Sequence, residues 1–360
     1  MSNYTISVDP GNGGVNAVMA RAKGGYKSVY FPSVRAAATG DSLGLGKQLE
    51  LDYLYVDWYG HRYVIGDDVI RVTRRHMERH SGPNRYGNEL HQFLIAVAVA
   101  QLGVKKGTVD LTLFAPPGMY GDVKAVMLER INKSRQVEIC LKGDRTPRQW
   151  EYENITIWPE GIGAAACFVL DDSGKPNRSD VLAGETVILD LGAYTLDALH
   201  MTNGSFNPED LQHSTFENGG VWVHVIEPVL RTVKKQGSDF ELLSADDIDR
   251  VLRLGLVSDD YTLTVAGQET DLKLLFEKHC QRYAEWVANN IIDNQFAGLR
   301  GIKSAILVGG GALLVESHLR GWYSDKILDR KTHPTTSKIH PVDFNAVGGL
   351  RLALARQGVR

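Results

Sequence analysis

Three runs near the N-terminus, residues 4 to 9, about 15 to 21 and about 26 to 31, alternate apolar with polar positions or run apolar, with Gly-rich turns between them. That pattern predicts a three-strand antiparallel meander. Arg35 to Leu51 is rich in Gly and Ala with no steady period and reads as a surface loop. Tyr53 to Trp58 and Arg62 to Ile65 flank Tyr59-Gly60-His61, which predicts a compact hairpin. The period then changes: Leu90, Phe93, Leu94, Val97 and Gln101 recur at helical spacing, so a buried helix is expected from Asn88 to Leu102, ended by Gly103. Val109 to Ala115 is an apolar strand stopped by Pro116-Pro117-Gly118, and Asp122 to Asn132 follows as a helix. Trp158-Pro159-Glu160-Gly161 leads into a helix of small residues.

Asp171 to Gly184 is polar and carries Gly, Pro, Asn and Ser, which marks it as the interdomain crossing. Strands restart after it. Helices are expected at Gly219 to Lys235, Ala245 to Leu254 and Leu272 to Gln295, with an apolar strand at Ser304 to Val308 and a last helix at Asp343 to Ala355. Strands first and helices after, twice over, is the organisation of a duplicated α/β protein.

The chain has 360 residues, 43% of them hydrophobic, enough for two domains with real cores. A formal net charge of −3 gives no global attraction to nucleic acid or anionic membrane. Cys140, Cys167 and Cys280 are too few and too scattered for a disulfide framework or zinc cluster, and read as reduced core thiols. The start lacks a cationic segment backed by an apolar run, and no run of membrane-spanning length occurs, so a cytoplasmic protein is expected.

Candidate chemistry is concentrated in glycine turns. Val187 to His200 reads as strand, tight polar turn and strand, with Asp190, Gly192 and Thr195 where a phosphate could meet backbone N–H groups. Tyr4 to Val18 is a second version, with Asp9, Gly11, Asn12, Gly13 and Gly14 at its turn. Gly309-Gly310-Gly311 follows a buried strand, and three residues without a Cβ let backbone lie flat against a base or ribose. Gly219-Gly220 opens a helix, a ready contact for an anion or ribose. Other signatures fail. Gly46-Lys47 lacks the first Gly and the Ser or Thr of a P-loop, and Gly11-Asn12-Gly13 has Asn16 in place of the last Gly of a dinucleotide fingerprint.

Taken in order, Asp9-x-Gly11, Pro159-Glu160-Gly161, Asp190-x-Gly192-x-x-Thr195-x-Asp197, Gly219-Gly220, Gly309-Gly310-Gly311 and Asn345-Ala346-Val347-Gly348-Gly349 resemble the nucleotide signature of the actin, sugar kinase and heat-shock chaperone superfamily. The short length and the Tyr53 to Asp68 hairpin look most like the bacterial, archaeal and phage actin-like proteins of the ParM type, which segregate plasmids. The resemblance implies duplicated actin-like domains of the ribonuclease H-like kind with a nucleotide in the interdomain cleft. Residues 1–175 plus 342–360 would form domain I and 180–341 domain II, the last helix returning to the first domain.

By the same resemblance, Asp9 and Asp190 hold Mg²⁺ mainly through water, and backbone N–H groups of Gly11 to Gly14 and of Gly192, Ala193, Tyr194 and Thr195 cradle the phosphates of ATP, or of GTP. Glu160 stands where the family keeps the residue that orients the attacking water, as general base or positioning group. Thr195 would touch the γ-phosphate or its water, and Asp197 either contacts the nucleotide or anchors the hairpin. Gly219, Gly220, Gly309, Gly310 and Gly311 would meet the nucleoside. Asn16 stands where family members carry Lys or Arg; an amide can hydrogen-bond a phosphate without neutralising it.

The implied function is a nucleotide-dependent filament ATPase that segregates plasmid or other low-copy DNA through a DNA-binding adaptor, without direct nucleic-acid or membrane contact. A small-molecule kinase of the same superfamily and a non-polymerising nucleotide switch are the alternatives. The basic cluster Arg71, Arg74, Arg75, His76, Arg79, His80 and Arg85 reads as a solvated face first, a subunit contact next and a contact to nucleic-acid phosphates last, and Trp222 and Trp286 read as core anchors.

Overall fold

The structure, a computed structural model, describes residues 3–38, 54–69, 77–80, 84–177 and 179–358. The chain divides into two compact units, 1–178 with 343–360 and 179–342. The mixed α/β architecture expected from the sequence is present in each.

Among the described residues the first unit is built on ten strands: β1 (Asn3–Pro10), β2 (Gly14–Ala20), β3 (Tyr26–Pro32), β4 (Val34–Ala37), β5 (Tyr55–Trp58), β6 (His61–Ile65), β7 (Met77–Arg79), β8 (Lys106–Ala115), β9 (Gln136–Leu141) and β10 (Arg148–Pro159). They form one sheet in the order β3-β2-β1-β8-β10-β9-β5-β6-β4-β7. The meander β1-β2-β3 is antiparallel, whereas β1, β8 and β10 run parallel. Asp9, Ala115 and Glu160 therefore all lie at the carboxyl ends of parallel strands, the edge where open α/β sheets bind ligands.

Helix Glu89–Gln101 packs against this sheet, and Asn88 caps it by accepting from the His91 N–H at 2.8 Å. Nearly every position from Leu90 to Ala100 is buried, so the helix is apolar all round and its one-sided periodicity is weak. Helix Phe344–Gly358 packs on β1 and on helix Ile162–Val169. Small residues set that crossing: a Cβ on Gly163 would lie 2.5 Å from the Asn345 carbonyl oxygen, and Gly348 meets the backbone of Gly163 as closely.

One expectation is corrected here. Arg35, Ala36 and Ala37 belong to β4, paired with β6 and β7, and Arg35 is only 3% exposed. Its guanidinium binds Glu78 and Glu89 and lies over the rings of Tyr63 and Phe93. These partners come from distant elements, so local composition carried no sign of them. The rest of the expected loop, from 39 to 51, lies outside the described residues, as does the Gly46-Lys47 pair.

The second unit holds the sheet β13-β12-β11-β16, from β11 (Glu185–Leu191), β12 (Thr195–Thr202), β13 (Thr215–Glu217) and β16 (Ser304–Val308). A separate hairpin pairs β14 (Thr262–Val265) with β15 (Gln268–Asp271). The duplication is visible in the pairing. β11 is flanked by antiparallel β12 and parallel β16, as β1 is flanked by antiparallel β2 and parallel β8. Helices Ala245–Ser258, Lys273–Val287 and Ala312–Tyr323 cover the core of this unit. The helix expected from Gly219 to Lys235 is a π-turn at Trp222–Ile226 followed by helix Glu227–Lys234. Cys167 and Cys280 are buried and Cys140 is partly buried, all as free thiols.

Candidate functional site

The first glycine turn is fastened by a residue that the sequence motif does not contain. Ser33 donates from Oγ to the Gly11 carbonyl at 2.5 Å, and its N–H donates to the Gly13 carbonyl at 3.2 Å. In a trans peptide the carbonyl and the following N–H point in opposite directions. With both carbonyls turned toward Ser33, the N–H groups of Asn12 and Gly14 face the other way, as a phosphate cradle requires. A Cβ on Gly14 would sit 2.4 Å from the Tyr30 ring, so a larger residue there would have to displace that half-exposed side chain.

Asp9 pairs directly with Asn16 across β1 and β2, which places both side chains on one face of the sheet. Asn16 is 8% exposed, and its Oδ1, like that of Asn12, is buried without a hydrogen-bond partner among the described residues. Two buried amide oxygens near a carboxylate are acceptors of the kind that the waters of a hydrated cation satisfy. Glu160 sits at the end of β10. Its N–H donates to the Ala115 carbonyl at 2.8 Å, and the next residue, Gly161, takes a positive φ of 88° before helix Ile162–Val169.

In the second unit the same peptide logic is carried further. The carbonyls of Gly192, Ala193 and Tyr194 accept from the N–H groups of Val221 (3.1 Å), Trp222 (2.7 Å) and Gly220 (3.1 Å). The N–H groups of Ala193 and Tyr194 are thereby aimed away from the π-turn. Gly220 must be glycine, since a Cβ there would lie 2.4 Å from the Ala193 carbonyl oxygen. Tyr283, fully buried, donates its hydroxyl to the Gly219 carbonyl at 2.9 Å. Burial, with the charge of Asp190 nearby, pushes its phenol well above the ordinary range, so it stays a donor. The Tyr194 ring stacks on Trp222 at 5.0 Å, and His224 packs against Tyr283 and Trp286. Trp222 and Trp286 are half-buried and pack on the core of the unit, in keeping with anchors.

The triple glycine closes on Asp190. A Cβ on Gly309, whose φ is +83°, would lie 2.5 Å from Asp190 Oδ1, and the Gly311 N–H donates to the Leu191 carbonyl at 2.8 Å. Gly310 is less constrained, a Cβ there meeting only Val342 at 3.6 Å. Asp190, Gly192, Ala193, Tyr194, Thr195, Gly219, Gly220, Gly309 and Gly311 thus form one assembly within this unit, at the carboxyl ends of parallel β11 and β16. Asp197 accepts from the hydroxyls of Thr215 on β13 and Thr195 (3.4 Å), contacts that suit an anchor of the hairpin.

The expected basic face changes character. Arg71, Arg74, Arg75 and His76 lie outside the described residues. His80 and Arg85 are 1% and 9% exposed, so neither belongs to a solvated surface. The His80 ring lies 4.9 Å from that of fully buried His91, tilted by 30°, and the His80 backbone N–H donates to the Ser33 carbonyl, behind the first glycine turn. Burial, reinforced by the charge of Arg85, pushes its imidazole down to about 3. The period of the sequence gave no signal for Ser33, Tyr283 or this histidine pair, because each acts through partners remote in the chain.

Each unit sets one carboxylate at its glycine turn, Asp9 in the first and Asp190 in the second, and a carboxylate is a donor that Mg²⁺ takes while keeping several waters. Among the described residues there is no cluster of three or more His, Cys, Asp or Glu of the kind that cages a metal, and no helix is long and apolar enough to cross a membrane.

Comparison with known proteins follows this geometry. Residues 7–163 match the family of actin-like protein N-terminal domains, and residues 188–321 match the C-terminal domain of archaeal MreB-like actin homologues. No curated protein sequence matches the chain. Among solved structures, the archaeal actin homologue Ta0583 in complex with ADP is similar at 17% identity, with 98% of this chain and 99% of that one covered and a TM-score of 0.73. Bacillus thuringiensis ParM with ATP is similar at 17% identity, with 100% of both chains covered and a TM-score of 0.69. The subunit of a 15-stranded ParM filament from Clostridium botulinum is similar at 19% identity, with 99% and 100% covered and a TM-score of 0.71. Likeness at this identity establishes the fold. Matched in both halves by actin-type families, over the strands that carry its glycine turns, the chain belongs to the actin-like proteins.

Proposed function

We propose that this protein binds and hydrolyses a nucleoside triphosphate, ATP in the first instance, and that the nucleotide drives its assembly into filaments. The observation that carries the reading is the second glycine turn. Three successive carbonyls, of Gly192, Ala193 and Tyr194, are consumed by the backbone of Gly220, Val221 and Trp222, which leaves the cradle N–H groups pre-aimed before any ligand arrives. Gly11 to Gly14, held by Ser33, form a like turn in the first unit.

In this reading Asp9 and Asp190 hold Mg²⁺, which would neutralise phosphate charge. Glu160 orients the water that attacks the γ-phosphorus as the bond to the β-phosphate oxygen breaks, and Thr195 touches the γ-phosphate or that water. The nucleoside rests on Gly219-Gly220 and Gly309 to Gly311. Two similar proteins were solved with ADP and with ATP, and a third as a filament, which supports nucleotide binding and self-assembly here. The likeness to ParM supports a role in segregating plasmid or other low-copy DNA through a DNA-binding adaptor, in the cytoplasm.

Light scattering and pelleting with ATP, GTP and non-hydrolysable analogues test the reading. Polymer that forms with a triphosphate and turns over as phosphate is released is expected, and in a Glu160→Ala variant polymer should persist. No polymer with any of these nucleotides would remove the filament function.

A further inference from the structure

Beside the proposed hydrolytic residue lies a buried side chain from the far end of the chain. Asn345 is 5% exposed, at the start of helix Phe344–Gly358, and its Oδ1 accepts from the Gly161 N–H at 3.0 Å across 184 residues of sequence. In the preceding peptide unit, the Glu160 N–H is held by the Ala115 carbonyl at 2.8 Å. Glu160 is therefore fixed from both flanks, by the end of β8 before it and by Asn345 after it. Gly161 needs such a hold, because its φ of 88° is a turn that the short helix following it does not itself enforce. The anchor is stiff. Gly163 and Gly348 bring the two helix backbones into direct contact, so Asn345 cannot drift relative to Gly161 without breaking that packing.

We propose that Asn345 is a positioning residue for nucleotide hydrolysis: it sets the backbone orientation at Gly161 and through it the aim of the Glu160 carboxylate at the attacking water. The proposal rests on the assignment of Glu160 as the hydrolytic residue. An amide suits the task because it accepts a hydrogen bond without placing a second negative charge beside Glu160, which would compete with the carboxylate for the same water and cation.

The test is a double-mutant cycle on phosphate release, with Asn345→Ala, Glu160→Gln and the double variant, followed in single-turnover mode. Asn345→Ala should lower kcat by about tenfold through misplacement of the carboxylate, while KM and ADP affinity stay within about twofold. Once Glu160→Gln has removed the carboxylate, adding Asn345→Ala should cost nothing more. Asn345→Asp retains an acceptor for Gly161 but adds the second negative charge beside Glu160, so it should fold and still hydrolyse slowly, and it serves as the folding control if the alanine variant is unstable. Equal losses from Asn345→Ala in both backgrounds, or a rise in KM with kcat unchanged, would overturn the proposal and leave the hydrolysis reading standing. Wild-type hydrolysis that is indifferent to Glu160→Gln would overturn both.

Discussion

Asp190 and Asp197 face each other directly across β11 and β12, 8% and 3% exposed, as Asp9 faces Asn16 across β1 and β2. Two buried carboxylates in one antiparallel pair repel unless each has its own partners. Asp197 has the two threonine hydroxyls, and Asp190 has the glycine turn that closes on it. The pair divides the labour: one carboxylate holds the hairpin to β13, and the other stands at the glycine cradle.

Asp197→Asn should therefore be tolerated, changing stability by about 1 kcal/mol or less, since the amide still accepts from Thr215 and one negative charge is removed. Asp197→Ala strands the buried hydroxyl and should cost about 1–3 kcal/mol. Thermal unfolding of the two variants distinguishes them.

Asn16→Lys should tighten nucleotide binding about tenfold, because an ammonium adds a charge-assisted bond where the amide gives a neutral one. Asn16→Leu should weaken it. Titration with a fluorescent ADP analogue measures both, and equal affinities across the three proteins would show that Asn16 does not reach the phosphates.

Gly309→Ala forces a side chain into a left-handed position 2.5 Å from Asp190 Oδ1. The strain should be about 1–3 kcal/mol, with a loss of nucleotide affinity larger than for Gly310→Ala, whose site is open. Calorimetric binding to the pair of variants gives the comparison.

Tyr283→Phe removes the bond to the Gly219 carbonyl and leaves that buried oxygen without the donor, at a cost of about 1–3 kcal/mol. Because Gly219 opens the turn that orients Gly192 to Tyr194, the stabilisation that ADP gives to unfolding should also shrink.

The His80 imidazole, pushed down to about 3 from an ordinary 6.5, makes stability depend on pH. As pH falls through 6.5 the unfolded chain takes up a proton that the folded chain refuses until about 3. The stabilisation is complete above 6.5 and is lost progressively as pH falls toward 3. Buried His91, displaced in the same direction, adds to the slope. Unfolding midpoints measured from neutral to acid pH should fall less steeply in His80→Phe than in the wild type.

The strands and turns of both hairpins were legible in the sequence because period-two alternation and glycine at tight turns are dictated by residues adjacent in the chain. So were the helix from Asn88 and the small-residue helix after Gly161. β4 was not. Its Ala-rich run has no period, and what makes it a strand is pairing with β6 and β7 together with the burial of Arg35 against Glu78 and Glu89. The π-turn at Trp222–Ile226 was hidden for a similar reason. Its apolar pattern is helical, but its first N–H groups are committed to the carbonyls of a different turn.

Sequence alone determined which residues are proposed to carry chemistry, Asp9, Glu160, Asp190 and the glycines, because polar groups at glycine turns stand out against apolar strands. Tertiary structure decided how they are aimed. Ser33 turns the carbonyls of Gly11 and Gly13, Tyr283 holds Gly219, and Asn345 reaches Gly161 from the far end of the chain. Each of these is one hydrogen bond between groups that only packing brings within reach, so no local pattern could announce it.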